Sequence, residues 1–408
     1  MWPLKEQATA RTPRFYLPEL DALRFFAFLA VFLGHSFNNT AASHYPETHQ
    51  DLRGALVSTM AGSGGYGVDL FFALSAFLIT QLLLREQNLT GTLEVRRFYL
   101  RRILRIWPLY FCFLSVVATI GIWFRQPIHT PAKWMLMYLL LSGNFAYALW
   151  GWAPSLATSQ LWSIALEEQF YLLWPLFVRG RCRRQLIAAA LAMVVVSVAA
   201  RAICWLVSAP APLVWTNTLT RLDPIAGGIL LGVWTMDKTP KLRSQTRAIL
   251  MASGILTMFV VSTFCHPGSS PNTAVTLFFG YPAVTLGCLA ILVSVLGVKV
   301  HENRLMARAG IYLGQISYGL YVWHFLALLL TLKGLSRAMP FAGDWIGSSI
   351  FEAICALGLT IAISAASYRF LEMPFLKLKS RFAMIPSRPT WGISHSEAAA
   401  SFSRTPAR

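Results

Sequence analysis

Charged residues are scarce in this sequence, and acidic residues are the scarcest. Only 13% of the 408 residues are Asp, Glu, Lys or Arg, and only 17 of them are acidic, whereas 56% of the residues are hydrophobic. A soluble globular domain carries about twice that share of charged residues. The composition therefore excludes an ordinary soluble domain and indicates a polytopic membrane protein.

The shortage of acidic residues leaves a formal net charge of +18, which alone could indicate a nucleic-acid-binding protein. The basic residues, however, fall in short clusters between apolar stretches that are long enough to span a bilayer. Membrane topology explains such clusters better. We therefore expect a lipid bilayer as partner and no nucleic acid.

Paired cysteines and a cleavable leader are also lacking. The six cysteines are scattered without paired spacing, which indicates neither a disulfide framework nor a metal site. The N-terminal residues show no basic region followed directly by a short apolar core and a small-residue cleavage site. We expect no bound metal, and we expect the first apolar stretch to remain as a membrane anchor.

The apolar stretches predict an all-α polytopic bundle of about ten transmembrane helices. The predicted spans are residues 20–37, 66–84, 103–124, 161–178, 186–207, 222–236, 248–265, 274–298, 311–332 and 346–367. The sixth span is short and rich in glycine. A further stretch that starts at Trp134 has the aromatic composition of an interfacial segment, so it is left out of the count.

Lysine and arginine clusters set the predicted orientation, because these residues favour the cytoplasmic side of short loops. Clusters precede the third span and follow the fourth, sixth, eighth and tenth, which places all of them on one side and both termini in the cytoplasm. The predicted organisation is a cytoplasmic segment at 1–19, a membrane domain at 20–376 and a basic cytoplasmic tail at 377–408. We expect the tail to be disordered, since it has too few apolar residues to pack.

Two polar residues interrupt the first span, where charge is costly and usually marks function. Arg24 and His35 are eleven positions apart, so a helix places them on one face, roughly 16 Å apart along its axis. That spacing favours a pair that lines one cavity or interface. The alternative is an arginine that reaches one membrane surface and a histidine at the other.

A series of segments is similar to the membrane acyltransferase-3 family. LDALRFFAFLAVFLGHSF followed by GYGVDLFFALSAFLIT resembles the start of that family, and the other matching segments follow in order as FYLRRILRIWPLYF, LWSIALEEQFYLLWPLF, RLDPIAGGILLG, ISYGLYVWHF and YRFLEMPF. Together they extend over residues 17–376. The sequence departs from the family pattern in two ways. The usual Leu-Ser-Gly reads Leu74, Ser75 and Ala76 here. No hydrolase-like domain is fused to the membrane domain, so we expect a stand-alone member.

The resemblance implies an integral membrane enzyme that transfers an acyl group, usually from acetyl-CoA, to a hydroxyl on a sugar or another small acceptor. We therefore expect acyl-CoA as the donor and a carbohydrate or glycolipid as the acceptor. With the family as the only basis, we expect acetyl transfer to an exported or cell-surface glycan in a bacterial cytoplasmic (inner) membrane.

His35 is the expected general base, because a near-neutral imidazole suits removal of a proton from an attacking hydroxyl. A covalent acyl-histidine is the alternative role, and a histidine hydrogen-bonded at a helix end is the structural one. Asp69 and Glu167 lie near the same predicted depth as His35, so either is expected to orient the imidazole or to bind sugar hydroxyls. Asp69 could instead cap its helix, and Glu168 points away from Glu167 and is the weaker candidate.

Arg24, Arg102 and Arg105 are the expected donor-binding residues. Arg24 stays charged and suits a carboxylate partner or the oxygens of the acyl donor. Arg102 and Arg105 are helical neighbours that can hold one anion together, such as a phosphate of coenzyme A, and the resemblance implies the same use. Arg101 adds charge beside them. The alternative is a basic cluster that only determines topology.

Tyr321 and His324 are helical neighbours in the ninth span and are predicted as secondary substrate-binding residues, although an aromatic stripe is more often packing. Arg369 and Glu372 are predicted to form an interfacial ion pair after the last span. Four other polar residues are further candidates for substrate contact, and the sequence gives no order among them: Asn144, Ser163, Arg221 and Asp223.

Two other classes of protein compete with the enzyme. A transporter or flippase also places charged residues inside a bundle, but no inverted internal repeat is visible and an arginine pair for coenzyme A has no transport purpose. A scaffold would not need the buried charges Arg24 and Glu167 at their energetic cost. An acyltransferase is therefore the predicted function.

Overall fold

The computed structural model of this chain describes residues 15–44, 59–123, 129–236, 238–265, 272–300, 304–338 and 346–385. In these ranges the chain is helical and contains no β-strand, which confirms the all-α prediction. Most of the predicted N-terminal segment and residues 386–408 of the predicted tail lie outside the described residues.

Fifteen α-helices are assigned with both ends in the described ranges. They are α1 Pro18–His44, α2 Gly67–Thr90, α3 Val95–Trp123, α4 Ala132–Leu139, α5 Gly143–Trp150, α6 Leu161–Val178, α7 Arg183–Leu206, α8 Ala211–Thr216, α9 Leu222–Trp234, α10 Ser244–Phe264, α11 Tyr281–Val295, α12 Leu305–Gln315, α13 Ser317–Ala338, α14 Ile346–Ser367 and α15 Met373–Ser380. Two short 3₁₀ turns at Leu156–Thr158 and Leu219–Arg221 and two π-helical turns at Thr276–Gly280 and Tyr368–Glu372 complete the chain.

Eight helical segments in the described part of the chain are long and apolar enough to cross a membrane, fewer than the ten that were predicted. The predicted spans 161–178 and 222–236 are present as α6 and α9. Two adjacent glutamates lower the apolar content of α6, and α9 has only 13 residues. The count of ten is therefore not confirmed, and the orientation stays a prediction.

The predicted ninth span is interrupted. Helix α12 ends at Gln315, and α13 begins at Ser317. The first of these helices approaches α1 so closely that a Cβ on Gly314 would lie 1.8 Å from the carbonyl oxygen of Asp21. Only glycine permits this contact, which fixes α12 and α13 beside α1.

Helix α2 lies at the centre of the bundle and packs against α1, α6, α9 and α11. Its contact with α9 depends on small residues. A Cβ on Gly228 would lie 2.1 Å from the carbonyl oxygen of Ala73 and 3.0 Å from Cβ of Ala76. The partner helix therefore supplies the glycine at this contact, and the small side chain of Ala76 is accommodated against it.

The predicted boundary at residue 377 falls inside α15, which ends at Ser380. The chain after α15 still contacts α3, because a guanidinium N–H of Arg101 donates a 2.9 Å hydrogen bond to the carbonyl oxygen of Phe382. Helical structure therefore extends past residue 376 to Ser380, and the domain boundary stays a prediction.

Candidate active site

Five helices, α1, α2, α3, α6 and α13, surround a cavity of about 710 Å³, including space that is open to solvent. Four charged side chains line it, namely Arg24, Arg102, Arg105 and Glu167, and we call these four the cavity group. The other lining residues are aromatic, aliphatic or hydroxyl-bearing: Val68, Phe71, Phe72, Ser75, Ile106, Ser163, Ile164, Tyr171, Ser317, Tyr318 and Tyr321. Six predicted residues thus line one cavity, namely Arg24, Arg102, Arg105, Glu167, Tyr321 and the unranked Ser163.

The two arginines of α3 line the cavity because they are one helical turn apart. The guanidinium carbon of Arg102 lies 5.3 Å from the ring centroids of Phe98 and of Tyr171. Its Nε is buried and has no hydrogen-bond partner among the described residues. Aromatic faces hold a guanidinium without occupying its N–H donors, so Arg102 retains the capacity to bind an anion.

Arg101 is not part of this cavity, which corrects the expectation that it adds charge beside the pair. Its side chain turns to the other side of α3 and forms a buried ion pair of 2.7 Å with Glu86. Adjacent helix positions point about 100° apart, which separates Arg101 from Arg102. Arg101 therefore joins α3 to α2 and to the segment after α15.

Among the residues that the structure describes, Glu167 is the single carboxylate that lines the cavity. It accepts a hydrogen bond from the hydroxyl of Ser75. It is also close enough to Arg24 and Arg102 for an electrostatic interaction with both. Glu168 does not line the cavity and accepts a hydrogen bond of 3.2 Å from the indole N–H of Trp107. The prediction that ranked Glu167 above Glu168 agrees with this arrangement, although a catalytic role for Glu167 stays a prediction.

Arg24 contacts a carboxylate, as one of its two predicted roles required. Its guanidinium lies 3.7 Å from Asp21, one turn earlier on α1. The side chain of Arg24 keeps 17% of its surface exposed and lines the cavity. It therefore adds a third cation to the two of α3.

His35 lies next to the cavity but does not line it. Its ring is 5.5 Å from that of His324 and 4.4 Å from that of Phe325, measured between centroids. His324 in turn lies 5.6 Å from the ring of Tyr321, which lines the cavity and shares a 2.6 Å hydrogen bond with Ser163. Among the described residues, neither Asp69 nor Glu167 contacts His35, so neither orients the imidazole as predicted.

Asp69 belongs to a separate buried group that we call the ion-pair cluster, formed by Asp69, Arg221, Arg201 and Asp223. The carboxylate of Asp69 lies 2.7 Å from Arg221. One guanidinium nitrogen of Arg201 lies 2.9 Å from both carboxylate oxygens of Asp223. Asp69 therefore neither orients His35 nor caps α2, because Arg221 occupies its carboxylate. The predicted substrate contacts Arg221 and Asp223 also fall in this cluster.

Glu372 does not pair with Arg369 as predicted. Glu372 is 6% exposed and is close enough to Arg105 for an electrostatic interaction. The guanidinium carbon of Arg369 instead lies 5.8 Å from the ring centroid of Phe370. The π-helical turn Tyr368–Glu372 changes the side-chain direction that regular α-helical spacing would give.

Sequence reasoning did not single out the two hydroxyl-bearing cavity residues beside Glu167, Ser75 and Tyr171. Tyr171 lies four positions after Glu167, so helical spacing alone could have placed both on one face. The sequence indicated Ser75 less clearly. It occurs in the Leu74-Ser75-Ala76 segment, in which only Ala76 departs from the family pattern. Of the other unranked polar residues, Asn144 donates a hydrogen bond to Thr218 and is buried away from the cavity.

The bundle and its cavity define a helical membrane protein with an internal cavity lined by three arginines and a glutamate. The chain belongs to the acyltransferase-3 family, because the family described as an acyltransferase domain matches residues 17–369. No solved structure matches the chain. In the described residues no group of three or more His, Cys, Asp or Glu is placed to hold a metal ion.

Curated relatives carry O-acetyltransferase names. The peptidoglycan O-acetyltransferase OatA of Listeria monocytogenes is 26% identical over 90% of this chain and 57% of its own length. The putative peptidoglycan O-acetyltransferase YrhL of Bacillus subtilis is 28% identical over 88% of this chain and 55% of its own. A putative O-acetyltransferase of Staphylococcus aureus is 25% identical over 89% of this chain and 58% of its own. The chain thus spans little more than half the length of these relatives.

Proposed function

We propose that this protein is a membrane O-acyltransferase that moves an acyl group, most simply acetyl, from acyl-CoA to a sugar hydroxyl of a cell-surface or exported glycan. The observation that carries the proposal is the cavity group, in which three arginines and one carboxylate meet inside a membrane bundle. Guanidinium groups that line open space suit an anionic donor. The names of the relatives support acetyl as the group and a glycan such as peptidoglycan as the acceptor.

In this proposal, Arg102 and Arg105 bind a phosphate of coenzyme A at the end of the cavity that is predicted to face the cytoplasm. Two guanidinium groups on one helix face provide several parallel N–H donors for phosphate oxygens. The flexible arm of the donor extends through the cavity, between Phe71, Phe72 and Tyr318, toward Tyr321. Arg24 and Glu167 lie along this route and contact the polar part of the arm or the acceptor.

His35 acts as general base at the far end of that route. The acceptor oxygen attacks the thioester carbon while His35 takes the hydroxyl proton, the carbon–sulfur bond breaks, and the proton passes to the departing thiolate. This role requires the acceptor to reach His35 beside Tyr321 and His324, so donor and acceptor approach from opposite ends. The covalent alternative places the acyl group on His35 before the acceptor takes it.

The test is transfer of label from acetyl-CoA, radiolabelled in its acetyl group, to glycans or glycolipids in membranes that contain the protein. The variants are His35→Ala and Arg102→Ala combined with Arg105→Ala. The matched control is Arg96→Ala combined with Arg97→Ala, which removes two exposed arginines from the same helix. All variants are compared at equal membrane levels of protein.

We expect incorporation to fall at least tenfold in the two site variants and to persist in the control. Equal losses in the control variant would mean that general charge at the membrane surface, and not the cavity, binds the donor. Absence of incorporation by the unaltered protein would contradict acetyl-CoA as the donor.

A further inference from the structure

Two imidazole rings are stacked in the bundle, that of His35 on α1 and that of His324 on α13. Their centroids are 5.5 Å apart and their planes differ by 25°. His324 is fully buried, and the rings of Phe28 and Phe325 lie 6.1 Å and 4.5 Å from it. In such apolar surroundings, burial of a polar atom of His324 costs free energy unless the atom has a hydrogen-bond partner.

The hydrogen bonds of His324 define which of its nitrogens carries the proton. Its Nδ1 lies 2.7 Å from the carbonyl oxygen of Tyr321. A carbonyl oxygen only accepts hydrogen bonds, so Nδ1 must donate, and the neutral ring therefore has a bare lone pair on Nε2. That Nε2 is buried and has no hydrogen-bond partner among the described residues. His324 is thus held as an acceptor directly beside His35.

His35 has no carboxylate to orient it in the described part of the chain. Asp69 is occupied by Arg221, and Glu167 by Ser75 and two arginines. A general base of the histidine type normally needs an acceptor on its second nitrogen, because that hydrogen bond fixes the tautomer and stabilises the imidazolium. The Nε2 of His324 is an acceptor without a partner among the described residues, on a ring whose centroid lies 5.5 Å from that of His35.

We propose that His324 is a positioning residue for His35, and this inference rests on the proposed function. The second N–H of His35 donates a hydrogen bond to Nε2 of His324, so the first nitrogen of His35 is left free to take the acceptor's proton. As the oxygen–carbon bond forms and the carbon–sulfur bond breaks, the proton moves to His35 and then to the thiolate. His324 exchanges no proton and contacts neither substrate.

The geometry without substrate is compatible with this role. No direct hydrogen bond joins the two rings in the described structure, and catalytic hydrogen bonds are often long before the substrates bind. Each ring can turn about its side-chain bonds. The neighbouring Tyr321 links the pair to the cavity, so substrate that contacts Tyr321 also acts on the segment whose carbonyl holds His324.

The experiment measures kcat and the KM for acetyl-CoA in the full-length protein. His324→Leu removes both nitrogens and fills the space, and His324→Gln keeps an amide oxygen that can accept a hydrogen bond. Phe325→Leu is the matched control, because Phe325 contacts both imidazoles but offers no acceptor. We expect His324→Leu to lower kcat roughly 100-fold at an unchanged KM, with partial recovery in His324→Gln and a smaller loss in Phe325→Leu.

A double variant separates positioning from a structural role. If His324 acts only through His35, His324→Leu costs nothing more when His35→Ala is already present, since there is no base left to position. Losses that multiply independently would overturn the inference, as would equal kcat values for His324→Leu and His324→Gln. If the unaltered protein transfers label and His35→Ala abolishes transfer while His324→Leu retains it, only this inference fails. If the unaltered protein transfers nothing, the proposed function fails, and the inference fails with it.

Discussion

The cavity group and the ion-pair cluster are both charged and both lie inside the bundle, yet they differ in balance. The ion-pair cluster holds two arginines and two aspartates, and each guanidinium contacts a carboxylate within 2.9 Å. The cavity group has three arginines for one glutamate and borders open space. One group is closed and matched within itself. The other lines open space and has acidic partners outside the group, Asp21 beside Arg24 and Glu372 near Arg105.

The difference shows that burial of charge does not by itself mark a functional site. A matched pair offsets its own desolvation and holds helices together, as Arg221 of α9's N-terminus does for Asp69 of α2. Its guanidinium also lies 4.4 Å from the ring of Trp215, which shields it further. A charged group that lines open space can in addition contact an ion that enters from outside, which is the property of a binding site.

The largest expected effect comes from breaking the matched pair. Arg221→Ala leaves Asp69 buried without its partner, and removal of one partner of a buried ion pair costs about 3–5 kcal/mol. We expect a clear fall in the thermal midpoint of the detergent-solubilised protein and loss of protein from the membrane.

The control is the double variant Asp69→Leu with Arg221→Leu, which removes both charges. Because it leaves no uncompensated ion, we expect its stability to lie closer to that of the unaltered protein than to that of Arg221→Ala. A double variant less stable than Arg221→Ala would contradict the structural role of the cluster.

Glu167→Gln tests the open group and should separate activity from stability. The amide keeps the shape and still accepts the hydrogen bond from Ser75, but it removes the charge that faces Arg24 and Arg102. We expect acetyl transfer to fall roughly 100-fold with little change in thermal midpoint. Destabilisation as large as that of Arg221→Ala would mean that the two groups do the same structural work and would remove the distinction between them.

Arg101 and Arg102 are adjacent on α3, and they allow a buried ion pair and a cavity residue to be compared on one helix. Arg102→Lys replaces a planar fork with a single ammonium and loses about one charge-assisted hydrogen bond to phosphate, so we expect the KM for acetyl-CoA to rise roughly tenfold. Arg101→Lys weakens the buried pair with Glu86, so we expect lower stability and an unchanged KM. Kinetic and thermal measurements on both variants decide the case. An equal rise in KM would contradict the separation of the two side chains.

Helix periodicity predicted the all-α fold and the shared face of Arg102 and Arg105, because a helical repeat determines which side chains of one helix share a face. The residues 102 and 105 illustrate this success. It also predicted α6 at the residues where it lies. Each of these predictions needed only local sequence spacing.

The failures concern contacts between helices that are distant in sequence. Asp69 lies at the expected end of α2, but its partner Arg221 is 152 positions away and no local pattern links them. Glu372 was misassigned because a π-helical turn changes the spacing. The break at residue 316 was missed because the apolar composition continues through it. Partners across the bundle depend on tertiary packing, which a single sequence does not display.

The smallest expected effect tests whether the position of Glu167, and not only its charge, matters to the open group. Ser75→Ala removes the hydroxyl that donates to Glu167 and leaves the helix contact of α2 with α6 intact. One hydrogen bond contributes about 1 kcal/mol, so we expect kcat/KM to fall about fivefold. Ser115→Ala is the control, because that hydroxyl is exposed on α3 and bonds only within its own helix. If both serine variants retain full activity, Glu167 needs no fixed position, and its contribution to the cavity is electrostatic alone.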